Sequence, residues 1–252
     1  MLLDLQKHII YGPVKSRRLG RSLGINVLPV KKKICTFNCV YCQYGWTLPS
    51  GTNGTDHPEW VSAAEILSAI ERGLIQCTPP PDYLTLSGNG EATMHPEFPA
   101  IVDGLIRIRN RFSPGTKTAI LTNSTLINNK KIRAAIDRIE YKIMKLDAGT
   151  PAMLQQINRP TVEVQYEELI SGLRGMKDII IQTMWSAGTE GNFTPEHISL
   201  WLDKVKRIAP RFVQLYSLDR GYPSRNISVV QKEELLKIKQ MVVQESISAE
   251  VY

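Results

Sequence analysis

Nowhere does this chain carry an apolar run approaching the roughly 18 residues that a membrane-spanning helix needs. The opening residues, MLLDLQKHIIYGP, lack the charged-then-apolar pattern and the small-residue cleavage site of a signal peptide, so a cytoplasmic location is expected. Internal repeats, low-complexity tracts and linkers long enough to separate domains are also missing. The 252 residues suit one domain that buries enough surface to fold without disulfide staples. Cysteine is scarce, at four residues, and three of them crowd into eight positions. A disulfide framework does not call for such crowding; clustered thiols in a reducing compartment point to metal or redox chemistry.

Acidic residues are nearly absent from one segment. Residues 1–33 hold eight bases (Lys7, Lys15, Arg17, Arg18, Arg21, Lys31, Lys32, Lys33) against the single acid Asp4, while the remainder balances at 23 of each sign. The whole net charge of +7 therefore belongs to this N-terminal segment. Such a patch attracts phosphate or nucleic acid, or serves only as a solvated face.

What is present is a strand signal followed by a helix signal, six times over. Short apolar runs rich in β-branched and aromatic residues fall at 22–29, 83–88, 117–123, 141–149, 178–185 and 211–218, as strands buried on both faces require. Between them Tyr166, Leu169, Ile170 and Leu173 form one helical stripe. Ile132, Ile136, Ile139 and Ile198, Leu202, Val205 form two more, and a last helix is expected near 230–247. Ser62 with Glu65, and Thr194 before Pro195, read as helix starts. This alternation implies an α/β fold with a parallel sheet curved into a partial (β/α)6 barrel, short of the eight units that close one. Chemistry in such folds sits at the carboxyl ends of the strands.

After the first expected strand comes CTFNCVYC, with Cys35, Cys39 and Cys42 spaced as CxxxCxxC. Thiolates suit iron–sulfur clusters and zinc. Three of them bind three irons of a cubane and leave the fourth open to a ligand. A zinc site with His57 as a distant fourth ligand is the competing reading, though structural zinc sites usually show paired motifs. Cys77 stands alone at a helix end and reads as a buried structural thiol.

CTFNCVYC, with Tyr41 just before the last cysteine, resembles the signature of the radical S-adenosylmethionine (SAM) superfamily. YGPVKSRRLGRSLGINVLP, LSGNGEATMHPEF, ILTNSTL, KLDAG and INRP extend the resemblance over most of the chain. Together they resemble a branch of small prokaryotic iron–sulfur oxidoreductases related to the wyosine-forming tRNA enzymes. The resemblance implies a 4Fe–4S cluster and SAM as cofactors, with a reductase, flavodoxin or ferredoxin as electron donor. It also implies reductive cleavage of SAM to a 5′-deoxyadenosyl radical that abstracts hydrogen from a substrate.

The resemblance further marks SAM contacts. Gly88-Asn89-Gly90-Glu91 stands where the superfamily has a GGE-type motif, and Asn89 departs from it. A strand-end glycine pair lets backbone approach a ligand closely, although a plain turn would look the same. Asn123 and Ser124 end the third strand and either cap the next helix or reach SAM. Lys145 and Asp147 share one face of the fourth strand and either pair with each other or meet SAM; Lys145 replaces the serine of related enzymes. Gln182 matches a ribose-binding amide. Tyr41 completes the set. Arg159 offers a fork for carboxylate or phosphate, and Asp219-Arg220-Gly221-Tyr222-Pro223 replaces the branch's usual Arg-Pro-Pro stretch.

Two kinds of substrate fit these readings. One is RNA or another phosphorylated molecule held by Arg17, Arg18 and Arg21; the other is a peptide or protein, as for activating enzymes. An iron–sulfur protein that never turns SAM over would have no use for GNGE and KLDAG.

Overall fold

The computed structural model describes residues 1–48 and 59–252; His57 lies outside them. Six parallel strands form the frame: β2 (Gly20–Ile25), β3 (Tyr83–Leu86), β4 (Lys117–Thr122), β5 (Tyr141–Lys145), β6 (Ile179–Ala187) and β7 (Phe212–Ser217). They lie side by side in chain order, the simple result of successive right-handed crossovers. Two edge strands were not foreseen. β1 (Ile10–Ser16) pairs antiparallel with β2, and β9 (Ala249–Val251) pairs parallel with β7. A two-residue strand, β8 (Ser228–Val229), pairs with the far end of β6. The hydrogen-bonded path ends at β1 and β9.

The crossovers are α1 (Ala63–Gln76), α2 (Phe98–Phe112), α3 (Lys130–Asp137), α4 (Pro151–Ile157), α5 (Tyr166–Arg174) and α6 (Pro195–Ile208). The last helix, α7 (Lys232–Gln244), leads into β9. Ser62 opens α1 with a capping box to Glu65, and Thr194 caps α6 ahead of Pro195, both as their sequences require. The helical stripes face the sheet: Leu169, Ile170, Leu173, Ile198, Trp201 and Val205 are buried there. None of these helices is long and apolar enough to cross a membrane.

Period-two alternation divides the strand residues into two populations. One face packs under the helices in the main core. The other turns inward, where Ala119, Ile143 and Ile180 meet Leu19 in a small apolar plug. Nearer the carboxyl ends the inner face turns polar. There Gln182, two residues beyond Ile180, donates to Gln214 (2.8 Å), while Thr85, level with Ala119, hydrogen-bonds Ser22 (2.7 Å). The inner face is thus apolar around this cluster and polar at Gln182 and Gln214.

Several strands end earlier than the apolar runs. β2 stops at Ile25 because the Asn26 side chain folds onto its own backbone, accepting from Leu28 N and donating to Leu28 O. β5 stops at Lys145, although Leu146 N still donates to Gln182 O (3.1 Å).

Candidate active site

The cysteine loop carries no helix or strand of its own, and two flanking loops hold it in place. On one side Ile34 bridges Gly90: Ile34 N donates to Asn89 O (3.0 Å) and Glu91 N to Ile34 O (2.8 Å). A Cβ at Gly90 would stand 1.8 Å from the Ile34 carbonyl oxygen, and Gly90 has φ +140°. The second glycine of GNGE is therefore required by this contact. On the other side Asn38 N donates to Asn158 O (2.8 Å), Val40 N to Ile157 O (3.0 Å) and Thr161 N to Thr36 O (2.8 Å). The GNGE and INRP segments thus clamp CTFNCVYC between the ends of β3 and α4.

Within the loop, Cys35, Cys39 and Cys42 are half-buried free thiols. Burial pushes Cys35 far up from its ordinary value and Cys39 up to about 11, and each is raised further by the next cysteine. Amide groups are already turned toward the sulfurs: Asn158 Nδ2 lies 3.3 Å from Cys39 Sγ, Asn123 Nδ2 3.6 Å from Cys35 Sγ, and Phe37 N 3.4 Å from Cys35 Sγ. Among the described residues no three Cys, His, Asp or Glu side chains close on a single-ion site. A cubane asks something different, one thiolate per iron, with N–H donors to the sulfurs. Adjacent thiols that burial disfavours as thiolates, each with amide donors nearby, fit a bound cationic iron core that offsets that cost.

Glu91 ties the end of β3 to the end of β4. Its buried carboxylate accepts from Thr93 N (3.1 Å), Thr93 Oγ1 (2.6 Å), Thr122 Oγ1 (2.7 Å) and Asn123 N (2.6 Å). Burial still outweighs these donors and raises its pKa above the usual carboxylate value. Asp147 is the matching node below β5. It accepts from Lys145 Nζ (2.9 Å), Met184 N (2.8 Å), Asn158 Nδ2 (2.8 Å) and the Tyr41 hydroxyl. Lys145 and Asp147 thus form a buried ion pair. Burial alone would lower the Lys145 ammonium; the Asp147 carboxylate and the Tyr216 hydroxyl, 2.9 Å away, hold it above its ordinary value. The main chain at 146–147 is secured from behind, since Trp201 Nε1 donates to Leu146 O (3.1 Å) and Asn192 Nδ2 to Asp147 O (2.9 Å).

Above these nodes lies a cavity of about 660 Å3, within the range of small-molecule sites. Tyr41, Gly88, Gly90 and Gln182 line it, as does Cys42. The other expected SAM contacts do not. Asn89 spends its side chain on Gln6 and Pro29, holding Gln6 where it lines the cavity, so its departure from glycine has a structural use. Asn123 turns to Cys35 and Thr36, and buried Ser124, at φ +70°, reaches Lys145 O (3.4 Å). Glu91, Lys145 and Asp147 are occupied as described. Two functional candidates escaped sequence reasoning. Asn158 reaches Cys39 and Asp147 together, with INRP adjacency as its only cue. Tyr216 could have been found from the inward period of β7.

The arginines divide. Arg17 pairs with Asp219, Arg18 stacks over Tyr216, and both line the cavity. Arg21 lies at the opposite end of the strands, bonded to Thr78 O and Pro79 O and 3.6 Å from Cys77 Sγ. Arg159 is paired with Glu190 (2.7 Å). Cys77, expected buried, is half-buried at the C-cap of α1, because that helix ends at the rim.

The sequence model of the Radical SAM superfamily matches residues 31–184. A UPF0026 protein of Synechocystis sp. is 34% identical over 85% of this chain and 77% of its own length. One from Methanocaldococcus jannaschii is 30% identical over 91% of this chain and 70% of its own length. Among solved structures, TYW1 with a lysine–pyruvate adduct bound superposes with TM-score 0.61 at 18% identity, covering 89% of this chain and 73% of that one. Streptococcus suis SuiB bound to S-adenosylmethionine gives 0.65 at 12%, covering 91% and 50%. The matched residues include the cysteine loop and both buried carboxylate nodes, and this chain belongs to the radical SAM superfamily, whose members use a 4Fe–4S cluster and S-adenosylmethionine.

Proposed function

We propose that this radical SAM enzyme abstracts hydrogen from RNA or another phosphorylated molecule that enters the lumen. Cys35, Cys39 and Cys42 hold the cluster in this reading, and Gly88, Gly90, Tyr41 and Gln182 line the place for SAM. When bound, these groups supply an electron and a carbon radical. The chain's own part is positional. Glu91 and Asp147 fix the two sides of the cysteine loop, Leu19, Ala119, Ile143 and Ile180 fill part of the inner face with apolar side chains, and Leu3 and Gln6 line the cavity. A flavodoxin or ferredoxin in the cytoplasm supplies the electron, a setting that suits four free thiols. Residues 1–252 work as one catalytic unit.

The charge of the cavity carries the choice of substrate. Lys15, Arg17, Arg18 and Arg220 line it against the single acid Asp219. Such a field concentrates anions and gives no such advantage to an uncharged peptide segment. The test is substrate-stimulated SAM cleavage by the reduced enzyme with fractionated cell extract. Faster 5′-deoxyadenosine formation with the RNA or nucleotide fraction is expected. Stimulation by the peptide fraction alone would transfer the assignment to peptide modification.

A further inference from the structure

Within the cationic lumen the bases are not equivalent. Arg17 is paired with Asp219, Arg220 donates to Gln43 Oε1 (2.8 Å), and Arg21 lies outside, on the Thr78–Pro79 carbonyls. Arg18 alone is held like a binding group without a ligand. Its guanidinium carbon lies 4.8 Å from the centre of the Tyr216 ring and 5.9 Å from that of Tyr252. Its Nη1 is buried and makes no hydrogen bond, and among the described residues it forms no ion pair. A buried donor on a permanently charged group is rarely left unmet. Aromatic stacking fixes the plane of the fork, the preorganisation that two-pronged recognition of a planar or tetrahedral oxyanion needs. The same Tyr216 accepts from Lys145, so one ring links this fork to the Asp147 node.

We propose that Arg18 anchors an oxyanion subsite in the lumen, which takes the phosphate or carboxylate group of the substrate. This rests on the radical SAM reading and assigns the substrate-holding role to one residue of the basic segment. Lys15 lines the same cavity and adds to its field. Arg17 and Arg21, already engaged, hold no substrate. At about 660 Å3 the cavity admits a small molecule or a single nucleotide, not a duplex, so any RNA would present one residue to it.

The experiment is calorimetric titration of the reconstituted full-length chain with inorganic phosphate and with acetate, for wild type, Arg18→Gln, Arg18→Lys and Arg21→Gln. Binding of either anion by the wild type, weakened about tenfold or more in Arg18→Gln and less in Arg18→Lys, supports the subsite. The tighter anion names the substrate group. Unchanged affinity in Arg18→Gln overturns the proposal, as does equal loss in Arg21→Gln, which would mean a diffuse surface charge. SAM affinity is measured on the same samples. If it falls in Arg18→Gln as far as anion affinity does, the guanidinium meets SAM rather than substrate, and the proposal fails. Should Arg18→Gln not fold, phosphate protection of wild-type Arg18 against phenylglyoxal, read by peptide mass, decides: protection supports it and none overturns it. SAM cleavage by the wild type without added anion tests the underlying reading separately.

Discussion

Asp147 shows how much one buried side chain can carry. Its side chain has no exposed surface, and four donors from four regions of the chain converge on it. Asp147→Ala leaves the Lys145 ammonium without its counter-charge and the Met184 N–H without its acceptor, at a cost of about 3–5 kcal/mol. Urea denaturation should register that loss, and reconstituted iron should fall because Tyr41 loses its anchor. The exposed Arg17–Asp219 pair differs in kind. Both side chains are about half exposed, at 55% and 49%, so Arg17→Ala should change stability by less than about 1 kcal/mol. A loss for Arg17 as large as that for Asp147 would contradict this ranking. The hydrogen bonds of the Cys77 sulfur go to Arg21 and Pro79, not to the cluster loop. Cys77→Ser should keep full iron on reconstitution, whereas Cys35→Ala, Cys39→Ala and Cys42→Ala should each lose it. Alternation along the strand made Asp147 legible as an inward charge. Its partner Tyr41 lies 106 positions away and Met184 37, distances over which a single sequence carries no pairing signal.

At the scale of elements, the cysteine loop is an irregular segment made rigid by its neighbours. Ile34 docks on Gly90 so closely that a Cβ there would stand 1.8 Å from the Ile34 carbonyl oxygen. Gly90→Ala should leave the helices and sheet intact by circular dichroism yet lower the melting temperature and abolish stable cluster loading. Normal iron content in that variant would show that the loop is held otherwise. The six parallel strands were legible because apolar runs buried on both faces admit few alternatives. β1 was not, because IYGPVKS contains a proline and presents mostly exposed positions; its pairing shifts register between Tyr11 and Val14. β9 has three residues and needs β7 beside it to exist as a strand. Overlong expectations at 22–29 and 141–149 share one cause. Apolar character continues past the last ladder bond into loops that pack on the core, as Val27, Leu28 and Leu146 do.

For the whole molecule, the basic excess of residues 1–33 becomes a spatial arrangement. The β1–β2 hairpin brings Lys15, Arg17 and Arg18 to the lumen, while Lys33 is buried with its ammonium on Gly45 O (2.7 Å) and Arg21 serves the opposite rim. The sequence showed that the charge was local but not that it would divide three ways, because the hairpin's path depends on β7 and the C-terminal Tyr252. Fold, clamp and lumen support one proposal: that the loop at 35–42 holds a 4Fe–4S cluster that cleaves SAM. The most direct test is anaerobic reconstitution, metal and sulfide analysis, and electron paramagnetic resonance of the dithionite-reduced protein with and without SAM. About four iron and four sulfide per chain, a signal that SAM perturbs, and formation of methionine with 5′-deoxyadenosine are expected. One equivalent of zinc without sulfide, or a reduced cluster whose signal ignores SAM and which leaves it intact, would contradict the account.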